Sequence, residues 1–253
     1  MAKHLGIVPH LYAQPLFAGV KDTRSAAAQM FNLVEHHTAE LSLQLRQGKL
    51  DGAFLSPIEY AKEYSHVRIV PNVGVVSEAQ SQSVLLVFNE HLHNLKTIAV
   101  DPQFPTEIVL AHLVMMEKYH IKPQFVPMDS SLETMLMNTD AALVVDRNTL
   151  TVNERQNKLD LVDEWFDITE MPFVHGVWCS RELALNVEEI KALIANAQTT
   201  DASSAFTTEE KEYLANFRYT LDEEAIASIN EFFRMAYYHG VLKDIPDVKF
   251  NSS

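Results

Sequence analysis

Short apolar runs that alternate with helix-period stretches constrain this chain more than any other feature of its sequence. Leu5-Gly6-Ile7-Val8, Gly52-Ala53-Phe54-Leu55, Thr97-Ile98-Ala99-Val100 and Ala141-Ala142-Leu143-Val144-Val145 are each continuous and short. Such runs read as strands buried on both faces, the pattern of α/β proteins whose helices cover a sheet. Residues 68–71, 83–88 and 174–179 supply further strands. The run at 52–55 leads straight into Ser56-Pro57, where the hydroxyl suits a helix N-cap and the proline suits the first turn. Helical periodicity occupies 26–47, closed by Gly48, and returns at 106–119; residues 9–15 read as turns ending at Pro15. The last third is mostly helical. Asn186 caps a helix that carries Glu188 and Glu189 in its first turn, and Thr207 with Glu210 forms a capping box. A final helix covers about 222–239, before Gly240.

Composition removes several function classes. With 47% hydrophobic and 21% charged residues over 253 positions, the chain is long enough for one large domain or two lobes and is not disordered. A net charge of −14 disfavours nucleic acid, which needs a basic face, but leaves room for a small anion held by a few local donors. Cys179 is the single cysteine, so neither an internal disulfide nor a cysteine-built zinc site is possible. Seven glycines form no phosphate loop, no dinucleotide fingerprint and no serine nucleophile elbow. The eleven histidines are scattered; His36-His37 falls in the expected helix at 26–47, and His91 and His93 flank an expected chain crossing in solvent. No metal or organic cofactor is expected. No apolar run approaches the ~20 residues of a membrane span. Met1-Ala2-Lys3-His4 leads directly into the first strand, so the expected compartment is the cytoplasm.

Candidate binding residues sit where strands meet helices. Ser56 and Thr106 both open helices that follow strands, and free N–H groups with the positive dipole end make such turns natural carboxylate sites. Each hydroxyl could equally cap only its own helix. Glu107, next to Thr106, either competes with an incoming anion or points to solvent as an ordinary first-turn glutamate. Asp146-Arg147 follows the central strand at the edge where ligands of open α/β sheets bind. Arg147 either meets a substrate carboxylate or forms a surface ion pair.

Four segments, taken in order, resemble the menaquinone-biosynthesis family that includes chorismate dehydratase of the futalosine route. They are His10-Leu11-Tyr12-Ala13-Gln14-Pro15-Leu16, Leu50-Asp51-Gly52-Ala53-Phe54-Leu55-Ser56-Pro57-Ile58-Glu59-Tyr60-Ala61, Ser83-Val84-Leu85-Leu86-Val87-Phe88, and Asp160-Leu161 through Trp165 with Thr169-Glu170-Met171-Pro172-Phe173-Val174-His175-Gly176-Val177-Trp178. Three segments depart from the family pattern. Tyr12 stands where the family has Asn, Phe104-Pro105-Thr106-Glu107 replaces a Ser-x-Thr-Ser turn, and Val145-Asp146 stands for a Gly-Asp after the central strand.

The resemblance implies an α/β, two-lobe, type II periplasmic-binding-protein-like fold with a central ligand cleft. It places lobe 1 at 1–90 plus 175–253 and lobe 2 at 91–174, with crossings near 88–90 and 173–175. It also implies a lyase that dehydrates chorismate to 3-[(1-carboxyvinyl)oxy]benzoate. Ser83 and Tyr12 are then the expected catalytic residues, and Ser56, Thr106, Asp146 and Arg147 the expected substrate-binding residues. The expected partner is a small carboxylate, with neither nucleic acid nor membrane. The alternatives are a non-catalytic cytosolic binding protein or sensor for a small carboxylate, and a lyase acting on a related cyclic acid.

Overall fold

The computed structural model describes residues 2–198 and 206–251. In chain order the first part contains β1 (Lys3–Ile7), α1 (Gln14–Lys21), β2 (Phe31–Glu35), α2 (Thr38–Arg46), β3 (Gly52–Leu55), α3 (Pro57–Glu63) and β4 (Val67–Ser77). The middle contains β5 (Val84–Phe88), β6 (Thr97–Val100), α4 (Pro105–Glu117), β7 (Gln124–Pro127), α5 (Leu132–Asn138), β8 (Ala141–Val145), β9 (Asn157–Asp160) and α6 (Leu161–Thr169). The chain continues with β10 (Phe173–Arg181), α7 (Val187–Gln198), α8 (Thr208–Leu214), β11 (Phe217–Arg218) and α9 (Glu223–Tyr238).

These strands form two mixed sheets, one in the order β11-β4-β10-β3-β1-β2 and one in the order β7-β6-β8-β5-β9. In the first, β1 lies parallel to β2 and β3, while β10 runs antiparallel to β3 and β4. In the second, β6 is parallel to β7 and β8, and β5 is antiparallel to β8 and β9. The expected run at 141–145 is the middle strand of its sheet and is buried at every position, as its unbroken apolar sequence requires.

The chain leaves the first sheet after Ser77 and returns to it at Phe173, and these two residues are paired across β4 and β10. The return is pinned at Pro172, whose carbonyl accepts from Trp165 Nε1 at 3.2 Å and from the Ser228 hydroxyl of α9. Val84–Phe88 lies between β8 and β9 in the second sheet, so the outward passage is at 78–83 rather than near 88–90. The sequence pattern misplaced it because a buried strand looks the same whichever sheet it joins.

Two other expectations change. The expected helix at 26–47 contains strand β2, which pairs with β1 from Phe31 to Glu35, and only α2 is helical. As an edge strand β2 exposes Asn32 and Glu35, so its apolar residues mimic one face of a helix. The 9–15 segment holds a short 3-10 turn at Leu11–Ala13, and Pro15 opens α1 instead of ending a loop. The helix ends at Gly48 and Gly240 are as expected, both glycines having positive φ, and the Thr207–Glu210 capping box is present.

The packing of β10 against β3 leaves no room at Gly176. A Cβ there would collide with the buried Phe54 ring and lie 3.1 Å from the Leu55 carbonyl. Gly176→Ala should therefore destabilise the fold by about 1–3 kcal/mol, the usual cost of overpacking a dense core. Urea denaturation reads this as a lower midpoint, and an unchanged midpoint would show that Phe54 has space to move.

Candidate functional site

The loops that follow parallel strands meet where the two sheets face each other. Residues 8–13 follow β1, 36–37 follow β2, Ser56 follows β3, 101–104 follow β6, and Asp146 follows β8. Ligands of open α/β sheets bind at this carboxyl edge, because strand ends and helix N-termini leave backbone donors there.

Side chains from the second sheet's unit satisfy donors of the first. Asp146 accepts from Leu11 N at 2.8 Å and Tyr12 N at 3.1 Å, closing the N-terminus of the 3-10 turn, and from the Tyr213 hydroxyl at 3.3 Å. It adopts a left-handed φ of 57°, and its own N–H donates to the Ser83 carbonyl at 2.9 Å. Burial pushes the Asp146 carboxyl above the usual carboxylate range, with the donors from Leu11, Arg147, Tyr12 and Tyr213 pulling the other way. Some ångströms along the seam, Thr106 Oγ1 accepts from Ile58 N at 3.0 Å. The hydroxyl that opens α4 thus caps the N-terminus of α3, and the N-cap residue of α3, Ser56, has a hydroxyl with no partner.

Behind these bonds lies a buried cluster of polar and aromatic side chains. The His10 ring stacks on Tyr12 at 5.2 Å and tilts against Phe104 at 4.9 Å and His37 at 6.0 Å. Tyr12 in turn meets His175 at 5.0 Å, and Phe217 closes the group. His175 Nε2 is hydrogen-bonded to the Ser77 hydroxyl at 2.7 Å, while its Nδ1 stands 3.9 Å from Glu107 Oε1. Among the described residues, the buried side-chain polar atoms lacking a hydrogen-bond partner are His37 Nδ1, Thr38 Oγ1, Ser56 Oγ, Glu107 Oε1 and His175 Nδ1. His37, Ser56, Glu107 and His175 belong to this seam, and Thr38 follows His37 directly. Buried polar atoms without partners are costly, and their concentration in one place makes this seam the candidate site. Burial lowers the pKa of His10 to about 4, helped by His37 and His175 and opposed by Glu107. It also holds Tyr12 and Tyr213 as protonated phenols, their pKa values raised well above the ordinary range.

Of the residues singled out from the sequence, Ser56 and Thr106 come together across the seam, as do Tyr12 and Asp146. Ser83 adjoins them through its carbonyl, but its hydroxyl is engaged with Ser81 Oγ at 2.6 Å. Arg147 turns outward and pairs with Glu210. Glu107 does not point to solvent; it is 1% exposed. His37 is not inside a helix but is the residue that precedes α2, at the seam. Sequence reasoning passed over His10, His37 and His175, although the first two stand where strands β1 and β2 run into helices. A cavity of about 270 Å³ is lined by Asp101, Phe104, Asp129 and Ser131 among others. Among the described residues, no group of three His, Cys, Asp or Glu side chains is arranged to hold a metal ion, and no helix is long and apolar enough to cross a membrane.

Comparison with known proteins identifies the family and the fold. Residues 3–238 match the profile of a family described as menaquinone biosynthesis. A chorismate dehydratase from Thermus thermophilus is 23% identical over 246 residues, covering 85% of this chain and 90% of its own. A crystal structure from Archaeoglobus fulgidus superposes with a TM-score of 0.78 at 18% identity, covering 95% of this chain and 98% of that one. The periplasmic aliphatic sulphonate binding protein SsuA from Escherichia coli superposes with a TM-score of 0.66 at 12% identity, covering 98% of this chain and 95% of its own. A Candida albicans protein with the generic periplasmic binding protein fold gives 0.64 at 14% identity, covering 98% and 93%. The fold is therefore periplasmic-binding-protein-like, as expected.

The buried state of His10 has a measurable consequence. Its pKa falls from an ordinary 6.5 to about 4, so between those values the unfolded chain binds a proton that the folded protein refuses. More protons on the unfolded state means stability falls as pH drops through that window, by on the order of 3 kcal/mol in total. His10→Phe keeps the ring packing and removes this contribution. Its denaturation midpoint should decline less than that of the wild type from pH 6.5 to 4, and identical slopes would show that His10 titrates normally.

Proposed function

The chain belongs to the menaquinone-biosynthesis family, and from that premise we propose that it is a chorismate dehydratase-like lyase, acting in the cytoplasm. On this reading the units around the two sheets are lobes, approximately 2–77 plus 173–251 and 84–169, and the seam between them is the ligand cleft. The observation that carries the proposal is the pairing of two helix N-termini across the seam, with the Ser56 hydroxyl buried and unpartnered beside the Thr106–Ile58 bond.

A dicarboxylate entering a parted seam replaces one acceptor with another. Its ring carboxylate takes the Ile58 N–H that Thr106 Oγ1 now holds, and the Ser56 and Thr106 hydroxyls turn to donate to it. Charge-assisted bonds of this kind are about twice as strong as neutral ones. Dehydration removes the hydrogen from the ring carbon bearing the enol ether and the hydroxyl from its neighbour. Negative charge that develops on that carbon is conjugated with the ring carboxylate, so donors fixed on the carboxylate oxygens stabilise it. Aromatisation then drives the hydroxyl out as water. Closure of the lobes keeps solvent away and orients the ring. On this reading Tyr12, a protonated phenol in the ring stack, faces the substrate ring, and Ser83 lies beside it through its carbonyl's bond to Asp146 N.

The same ring stack supports a second reading. His10, Tyr12, Phe104 and His175 fill the seam with the protein's own side chains, as suits a binding protein that keeps the cleft without the chemistry. Incubation with chorismate, followed by mass spectrometry, separates the two. Conversion to a product lighter by one water is the expected result, whereas saturable chorismate binding with no product would contradict the lyase and leave the binding protein. Ser56→Ala should weaken chorismate binding by about 1–3 kcal/mol in titration calorimetry, the range for a hydrogen bond to a charged group. Unaltered affinity would remove Ser56 from the carboxylate site.

A further inference from the structure

We infer that Glu107, positioned by His175 and Ser77, is the group that moves the proton in the dehydration. The inference rests on the lyase reading and assigns a residue role within it. Glu107 lies in the first turn of the 13-residue helix α4, directly after Thr106. It is buried, and its Oε1 has no hydrogen-bond partner, a state that a carboxylate in a protein interior rarely keeps unless a ligand completes it. A ring whose carboxylate is held at Thr106 and Ser56 lies beside the helix turn that carries Glu107. The atom facing Glu107 is His175 Nδ1, likewise buried and unpartnered, at 3.9 Å. That gap is too long for a hydrogen bond.

Ser77 Oγ and His175 Nε2 share a hydrogen bond, and with Ser77 as its donor the His175 proton sits on Nδ1, on the side of Glu107. The arrangement has the logic of a base held by an oriented partner. His175 acts through Glu107 and is a positioning residue; Glu107 is the group that meets the substrate.

The chemistry balances with one carboxylate. In chorismate the ether oxygen and the ring hydroxyl are trans, so the departing hydrogen and the departing hydroxyl share one face of the ring. Glu107 takes the proton from the ether-bearing carbon, and the C–H electron pair becomes the new ring double bond. The neighbouring C–O bond breaks with its electrons on oxygen. The carboxylic acid then returns its proton to that oxygen, releasing water and regenerating the carboxylate. Nothing is oxidised or reduced, and no co-reactant is needed. The buried negative charge opposes binding of an anionic substrate. A residue kept for binding alone would not carry it.

Glu107→Gln preserves shape and removes the base. Its chorismate turnover should fall at least about 100-fold, the lower range for general acid–base catalysis, while chorismate binds as tightly as to the wild type or tighter. Loss of turnover with affinity kept is an outcome that a merely structural glutamate would not give. Turnover within about threefold of the wild type would overturn the inference while leaving the lyase reading intact. If the wild type itself makes no product, the lyase reading falls and takes the role of Glu107 with it, so the two failures are distinct. If Glu107→Gln does not fold, His175→Asn tests the same pair. It should lower kcat and displace the acid limb of the kcat pH profile with little change in KM, and an unmoved profile would overturn the assignment.

Discussion

Backbone N–H groups that open helices at a buried seam must find acceptors, and here the acceptors come from the opposite side of the molecule. The N–H groups of Leu11 and Tyr12 end on Asp146, and that of Ile58 ends on Thr106. An orphaned buried donor costs about 1–3 kcal/mol. The two units therefore cannot part in water-free surroundings without something taking the place of these acceptors. These bonds join the facing carboxyl edges of the two sheets, with the ring stack behind them.

The same requirement makes the seam exchangeable. A carboxylate ligand offers the acceptors that Thr106 and Asp146 now provide, so opening for such a ligand replaces one set of hydrogen bonds with another. On the proposed reading, ligand binding shifts the seam between its bonded and its parted arrangement. The unpartnered Ser56, Glu107 and His175 atoms lie beside those exchangeable bonds, where burial strengthens any polar contact made to them. Stability and function draw on the same few atoms.

Much of this was legible in the sequence. Continuous apolar runs identified the buried strands β3, β6 and β8, and cap chemistry located the starts of α3, α7 and α8. The joint order of motifs indicated the fold family. Edge strand β2 was lost because half-exposed residues imitate a helical face, and Val84–Phe88 was given to the wrong side because periodicity carries no information on sheet membership. Ser56, Thr106 and Asp146 were recognisable as candidates from their position after strands, and Tyr12 from the family resemblance. Glu107 and His175 were not, since a first-turn glutamate and a strand histidine are ordinary residues until tertiary packing buries them face to face. Arg147 shows the reverse: its chemistry suited a carboxylate, yet a three-dimensional neighbour, Glu210, holds it outside.

Native-state hydrogen exchange at the amides of Leu11, Tyr12 and Ile58 tests the exchangeable seam most directly. If their bonds to Asp146 and Thr106 break only when the two units part, the three should share one opening free energy, lower than that of the β10 and β3 core amides. Saturating chorismate should slow all three together. Exchange of these amides only through global unfolding, or at three unrelated rates, would contradict a seam that opens as a unit to admit a carboxylate.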